Sequence, residues 1–214
     1  MTVRLDVWAD IVCPWCWVGH ARLARALAEE PEGSVEVVPR AFELRPDQPL
    51  EGVPTAEFYA RRFGSAERAR ELHAHVTSEA SKEGLEMRYD RMPFAPNSRI
   101  AHRLVAIAAR DGVAMPALTA LFEAHFRDGV HVGDAAAACS VVAVATGLDA
   151  GMLRDAVESG DGEREVADDQ AQAAALEIAA VPCFAIVDAG IGVSGAHEPA
   201  LLRKVIAAGR REAA

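Results

Sequence analysis

The sequence has no run of about 18 apolar residues, and this excludes a membrane-spanning helix. It also lacks a basic excess: 22 Lys and Arg stand against 32 Asp and Glu, a formal net charge of −10. A surface of that sign repels phosphate backbones and anionic headgroups, so neither nucleic acid nor a membrane is expected as a partner. Met1-Thr2-Val3-Arg4-Leu5-Asp6 has no apolar core segment, and the acidic residues Asp6 and Asp10 interrupt the apolar stretch beyond it. No secretory leader is expected there, and the expected location is the cytoplasm. Repeats, low-complexity tracts and flexible linkers are also missing. Cysteine is scarce. Of the four, only Cys13 and Cys16 stand close together, while Cys139 and Cys183 belong to no close pair. His73, His75, His125 and His131 show no zinc-ligand spacing, and a structural zinc site takes four ligands, so no metal is expected. What remains, 51% apolar and 25% charged, is a globular chain with ample core material.

The close cysteine pair organises this chain. Asp10-Ile11-Val12-Cys13-Pro14-Trp15-Cys16-Trp17-Val18-Gly19 comes after a strand-like run, Val3-Arg4-Leu5-Asp6-Val7-Trp8-Ala9, and opens a helical pattern reaching about residue 30. Pro14 suits the first helical turn, where its missing N–H is not needed. That puts Cys13 at the N-cap, facing unpaired backbone N–H groups and the positive end of the helix dipole, both of which favour thiolate. Cys16, Gly19, Leu23, Ala26 and Leu27 share one helical face, so Cys16 should point inward and Cys13 stay at an accessible tip. Two inert structural thiols or half of a zinc site are the competing readings. The strand-to-helix placement favours a dithiol–disulfide pair.

Further along, residues 34–42 read as a second strand, with Pro39 marking an edge or an early end. A helix starts at about 54–57 and another runs over 65–82 with Gly84 as its stop. Apolar stripes at Ile100, Leu104, Ile107 and Ala108, and at Leu118, Leu121, Phe122, His125 and Phe126, predict two more. Residues 135–146 are nearly all apolar and predict the most buried helix, stopped by Gly147; two further helices are expected over 152–158 and 163–179. Cys183-Phe184-Ala185-Ile186-Val187 and Ile191-Gly192-Val193-Ser194 predict a hairpin, and a last helix spans about 199–208. The order is βαβ, a helical block, then ββα: a split α/β domain with an all-α insertion, divided at 1–53, 54–179 and 180–214.

A Cys-x-x-Cys at the first helix start within that frame resembles the thioredoxin fold, and the helical insertion resembles its DsbA-like branch. Asp10 before Cys13-Pro14-Trp15-Cys16, Gly19, Asn97-Ser98-Arg99-Ile100-Ala101-His102-Arg103, Leu121-Phe122-Glu123-Ala124-His125-Phe126, Val181-Pro182 and Ser194-Gly195-Ala196 are similar to the FrnE-like subgroup. The resemblance implies a cytoplasmic thiol–disulfide oxidoreductase with no resident cofactor, acting on thiol- or disulfide-containing proteins or peptides, with glutathione as a candidate redox partner. It also implies a cis Val181–Pro182 bond facing the cysteines, with Val181 at the substrate; Trp15 and Pro14, placed between the two cysteines, are expected to contact substrate from their position. Ala179-Ala180 stands where the family more often has a glycine before Val-Pro, and Cys183 where an aromatic is common. Related 2-hydroxychromene-2-carboxylate isomerases and kappa-class glutathione transferases typically lack the second cysteine. They define the alternative, a glutathione-dependent isomerase or transferase acting on a small aromatic substrate; a holdase that binds unfolded chains in the cleft is a third.

Other residues stay secondary at this level. Asp10 reads as a solvated turn carboxylate, or else as a proton acceptor for Cys16. His20 reads as a surface residue, Asn97 as an N-cap or a cleft residue, Trp17 as core or platform, Cys183 as buried apolar filler or third thiol, and Cys139 as core. The sequence leaves a homodimer open.

Overall fold

The computed structural model describes residues 2–212. Its centre is β1 (Val3–Ala9), sandwiched in a four-stranded sheet of order β2-β1-β5-β6 with β2 (Val35–Ala41), β5 (Cys183–Ile186) and β6 (Ile191–Ser194). β2 runs parallel to β1, Val3 opposite Val35 and Ala9 opposite Ala41; β5 runs antiparallel, with Trp8 opposite Cys183. A parallel neighbour needs a crossover connection, and α1 (Pro14–Leu27) supplies it. Pro39 lies in β2 at the sheet edge, where an N–H is dispensable.

The alternation of side chains along β1 sorts the two layers. Val3, Leu5 and Val7 face α1 and α9 (Pro199–Glu212), packing with Leu23, Ala26, Phe184, Leu202 and Ile206. Trp8 faces the other way and packs with Ala173, Cys183 and Ala185. Between the two halves of the sheet run α2 (Thr55–Phe63), α3 (Ala66–Lys82), α4 (Arg99–Ala109), α5 (Ala114–Phe126), α6 (Ala135–Thr146), α7 (Ala150–Glu158) and α8 (Glu163–Ala175). This is a thioredoxin fold carrying a helical insertion. A two-residue ladder, β3 (Val53–Pro54) with β4 (Phe94–Ala95), closes the base of the α2–α3 unit.

Buried ionic groups fasten the insertion to the sheet. Asp169 on α8 accepts from Arg40 at 2.8 Å and from the Ala41 N–H at 2.8 Å, while its carbonyl takes the Trp8 indole N–H at 3.2 Å. Arg22 on α1 is 5% exposed and reaches Glu83 at 2.8 Å, Glu79 at 3.0 Å and the Ala196 carbonyl at 2.6 Å. One guanidinium thereby joins α1, the end of α3 and the approach to α9. Its charge is matched by carboxylates, without which burial would be costly.

Four helices differ from expectation. α1 stops at Leu27 because Glu30 precedes Pro31, whose ring disfavours helical backbone in the residue before it. α8 ends at Ala175, and Glu177 adopts a left-handed φ of 54° that turns the chain toward Val181. α9 runs on to Glu212, with Gly209 against Ile186. α6 is not the most buried helix: only Ala138, Cys139 and Val142 are buried, and Val144 is 89% exposed. Its apolar character comes from alanines, whose small area makes surface placement cheap.

Gly19 lets α1 approach the loop before β5. A Cβ there would stand 2.7 Å from the Pro182 ring and 3.3 Å from Phe184. Gly19→Ala gains about 1 kcal/mol of helix propensity but overpacks a rigid neighbour, which typically costs about 1–3 kcal/mol. Urea unfolding is expected to show a net loss of stability, whereas the same change at an open helical site would stabilise.

Candidate active site

The turn after β1 sets the site. Cys13 is the N-cap of α1, extended at φ −95° and ψ 114°, and Pro14 occupies the first helical position. The Cys13 carbonyl accepts from the backbone N–H of Cys16 at 3.0 Å and of Trp17 at 3.3 Å. Both cysteines are free thiols. Cys16 is 1% exposed and its Sγ accepts the Asp10 N–H at 3.4 Å; Cys13 is 7% exposed. Cys13 is therefore no protruding tip. It forms part of the wall of a cavity.

The two thiols are displaced in opposite directions. A hydrogen bond from the Cys16 side chain holds the Cys13 thiol below its ordinary value, against the opposing effect of burial and with help from the Cys16 and Trp15 backbone N–H groups. Burial pushes the Cys16 thiol well up, and its bond to Cys13 adds to that. The N-cap position thus favours an anion on Cys13, while the same bond keeps the proton on Cys16.

Asp10 is the largest departure from the sequence reading. It is not a solvated turn carboxylate but is fully buried. Oδ1 accepts the Val12 N–H at 3.2 Å, Oδ2 accepts the Leu44 N–H at 2.7 Å, and Nε2 of His102 lies 3.4 Å from Oδ1. Burial alone would raise its pKa; the His102 interaction and the Leu44 and Ser98 bonds outweigh burial and leave it lowered. A chain turn and a helix remote in sequence therefore keep an ionised carboxylate beneath Cys16.

The cavity measures 450 Å³. Cys13, Pro14 and Trp15 contribute one side, and α2, α3 and the loops around Arg45 and Tyr89 the other. His73 stacks on Tyr89 with centroids 3.8 Å apart, and His75 tilts against Trp15 at 5.5 Å. Burial pushes the Tyr59 hydroxyl up to about 12 and brings the His125 imidazole down to about 4. His73, His75 and His125, spread over α3 and α5, line one space here. Among the described residues no cluster of three metal-type side chains occurs.

Other expected site residues sit apart from the cavity. Pro182 is buried against Gly19, and the Val181–Pro182 peptide is cis. Val181 is half-buried and packs against the cluster that contains Cys13 and Cys16. Trp17 is core, stacked on Phe126 at 5.5 Å. Cys183 lies with Trp8 on the sheet face away from α1 and is no third thiol of the pair; Cys139 is fully buried in the helical core. His20 is not a surface group. It bonds Thr119 at 2.8 Å and packs on Phe122, and burial brings it down to about 4. Asn97 is not the N-cap of α4, which is Ser98; it stands one residue earlier, accepts the Arg99 N–H at 2.8 Å across the turn and donates to the Gln48 carbonyl at 2.7 Å. Arg45, Phe58, Tyr59 and Tyr89 were missed by sequence reasoning. The available signal was α2, a nine-residue helix with three aromatics and no buried residue.

A scan against family models matches residues 4–207 to the DSBA-like thioredoxin domain. The chain belongs to this family. The probable DsbA oxidoreductase of Streptomyces coelicolor superposes with a TM-score of 0.86 at 33% identity, over 98% of this chain and 91% of that one. The uncharacterized protein YwbO of Bacillus subtilis is 28% identical over 91% of this chain and 92% of its own length. Likeness in fold alone extends to a 2-hydroxychromene-2-carboxylate isomerase (TM-score 0.73, 13% identity, 98% and 97% of the two chains). It extends equally to the cytosolic disulfide reductase DsbM of Pseudomonas aeruginosa (0.66, 18%, 98% and 96%). No described helix of this member is long and apolar enough to cross a membrane.

Two measurements probe this site. Iodoacetamide modification with mass-spectrometric readout should give Cys13 a midpoint below the ordinary thiol value of about 8.5, with Cys16, Cys139 and Cys183 protected until unfolding. Equal profiles for Cys13 and Cys16 would contradict the opposed shifts. His125, buried and lowered to about 4, stays neutral in the fold while the unfolded chain protonates near 6.5. The unfolded state then binds more protons, and stability falls as pH drops from about 6.5 to 4, by on the order of 3 kcal/mol from this group. His125→Asn should flatten that slope in chemical denaturation series.

Proposed function

We propose that this protein is a thiol–disulfide oxidoreductase with Cys13 as nucleophile and Cys16 as resolving thiol. The observation that carries the reading is the placement of the pair: Cys13 is the N-cap of α1 in the wall of a cavity, and Cys16 is buried one turn on with its sulfur on the Asp10 N–H. Cys13 thiolate attacks one sulfur of a substrate disulfide, and the other sulfur leaves with the bonding electron pair. Cys16 then loses its proton and attacks the Cys13 sulfur, releasing the bound half as a second thiolate and leaving a Cys13–Cys16 disulfide. The reverse sequence oxidises a dithiol. Electrons pass between sulfurs only, so no resident cofactor is required.

Asp10 relays the Cys16 proton to the departing thiolate in this scheme, since its carboxyl is ionised and its charge is near enough to act on the Cys16 thiol. Pro182 carries no N–H to compete for the reacting sulfur. Val181 lies just outside the β5 ladder, which begins at Cys183, so its backbone groups can pair with an extended substrate segment. Trp15 and Pro14 offer the apolar contact beside the nucleophile. Two glutathione molecules, or one cellular dithiol, reduce the Cys13–Cys16 disulfide and are themselves oxidised to a disulfide, closing the cycle in the cytoplasm, a placement supported by the cytosolic DsbM neighbour and its glutathione-bound form.

A second reading, a glutathione-dependent isomerase or transferase of a small aromatic molecule, is favoured by the aromatic walls of the cavity. The two diverge at Cys16, which the isomerase reading does not need. In glutathione buffers read by tryptophan fluorescence, the oxidoreductase should show one two-electron transition that Cys16→Ser abolishes. A midpoint at about −120 mV marks an oxidant and one at about −270 mV a reductant. No transition across that range, with aromatic turnover kept in Cys16→Ser, would establish the second reading instead.

A further inference from the structure

The charges around the cavity are of one sign. Although Asp and Glu outnumber Lys and Arg by 32 to 22 in the chain, no acidic residue lines this space, and its permanent charges are Arg45 and Arg62. Most arginines here are paired with carboxylates. Arg45, half-buried, has no ion pair and no side-chain hydrogen bond among the described residues; its guanidinium lies over the Phe58 ring, 4.3 Å from the centroid. Stacking uses the face of the guanidinium and leaves its in-plane N–H groups unpaired. Arg62 stands at the rim, 5.8 Å from the centroid of Phe63. A partly desolvated, unpaired guanidinium costs stability, and a carboxylate in its plane would offset that through a two-point bond.

The backbone holds Arg45 where it stands. The Glu43 carboxylate pairs with Arg99 at 2.8 Å, the Leu44 N–H bonds Asp10 at 2.7 Å, and the Arg45 carbonyl accepts the Gln48 N–H at 3.1 Å. Its charge is near enough to act on Cys13, Asp10 and His125. His125 itself, 5% exposed, has an Nδ1 without a partner and adds no positive charge at neutral pH.

We propose that the cavity beside Cys13 selects low-molecular-weight disulfides that carry a carboxylate on an apolar or aromatic body, with Arg45 binding the carboxylate and Arg62 assisting at the rim. The inference deepens the oxidoreductase reading and rests on it. At 450 Å³ the space is in the range of small-molecule pockets. The aromatic walls take the body, Arg45 the carboxylate, and the disulfide lies against Cys13. Attack releases one carboxylate-bearing thiolate; Cys16 releases the other, and its proton ends on a released thiolate. An external dithiol restores the protein thiols.

The test compares two aromatic disulfides, the dianionic dithiobis(nitrobenzoate) and the neutral dithiodipyridine. Second-order rate constants are measured in single turnovers and divided by those for a free cysteine peptide. The anionic-to-neutral ratio should exceed one in the native chain and fall about tenfold in Arg45→Gln, the loss expected for one charge-assisted bond. It should recover in part in Arg45→Lys and fall less in Arg62→Gln. Taking the ratio cancels any change in Cys13 reactivity that the substitution causes. A ratio unaltered by Arg45→Gln, or a native ratio at or below one, overturns the inference while leaving the oxidoreductase reading intact. If Cys13 reacts with neither reagent faster than the peptide, both fall together.

Discussion

One buried carboxylate holds the site together. Asp10 sits at the end of the central strand with no exposed surface, and an ion so placed costs several kcal/mol unless every lone pair is used. Here the Val12 N–H shapes the turn into α1, the Leu44 N–H pins the loop after β2, and His102 brings up α4. The backbone N–H of the same residue contacts the Cys16 sulfur. Three segments distant in sequence thus meet at one charge, and the thiol pair is positioned by the group whose charge also opposes ionisation of Cys16.

The polar fasteners elsewhere obey the same logic. Arg22 joins α1 to α3, Asp169 joins α8 to β1 and β2, and Glu43 joins the loop over the site to Arg99 and Gln170. In each, a charge is buried only where an opposite charge or several hydrogen bonds meet it. Arg45 departs from that rule at the cavity, with an aromatic face in place of a carboxylate. A local exception of this sort, beside a lowered thiol, belongs to a place where a ligand completes the pairing.

Much of this was readable in order along the chain. The strand-turn-helix around Cys13 and Cys16 was legible from Pro14 and from helical spacing, and the edge position of β2 from Pro39. Glycine stops at Gly84 and Gly147 stand just past the ends of α3 and α6. Asp10 and His20 were misjudged because a single polar residue in a turn or on a helix carries no local sign of burial; partners at positions 44, 102 and 119 bury them. The exposure of α6 was hidden for the opposite reason, since a run of alanines looks buried wherever it lies.

The sequence by itself determined the βαβ and ββα halves, the helical block between them and the placement of the cysteine pair at a helix start. Those depend on periodicity and on backbone preferences of proline and glycine, which act over a few residues. Only the tertiary structure decided which groups surround the thiols: Arg45 from a loop, Phe58 and Tyr59 from α2, His73 from α3 and His125 from α5. Their convergence depends on how the insertion packs back across the start of α1, a consequence of long-range burial and ion pairing that no local pattern encodes.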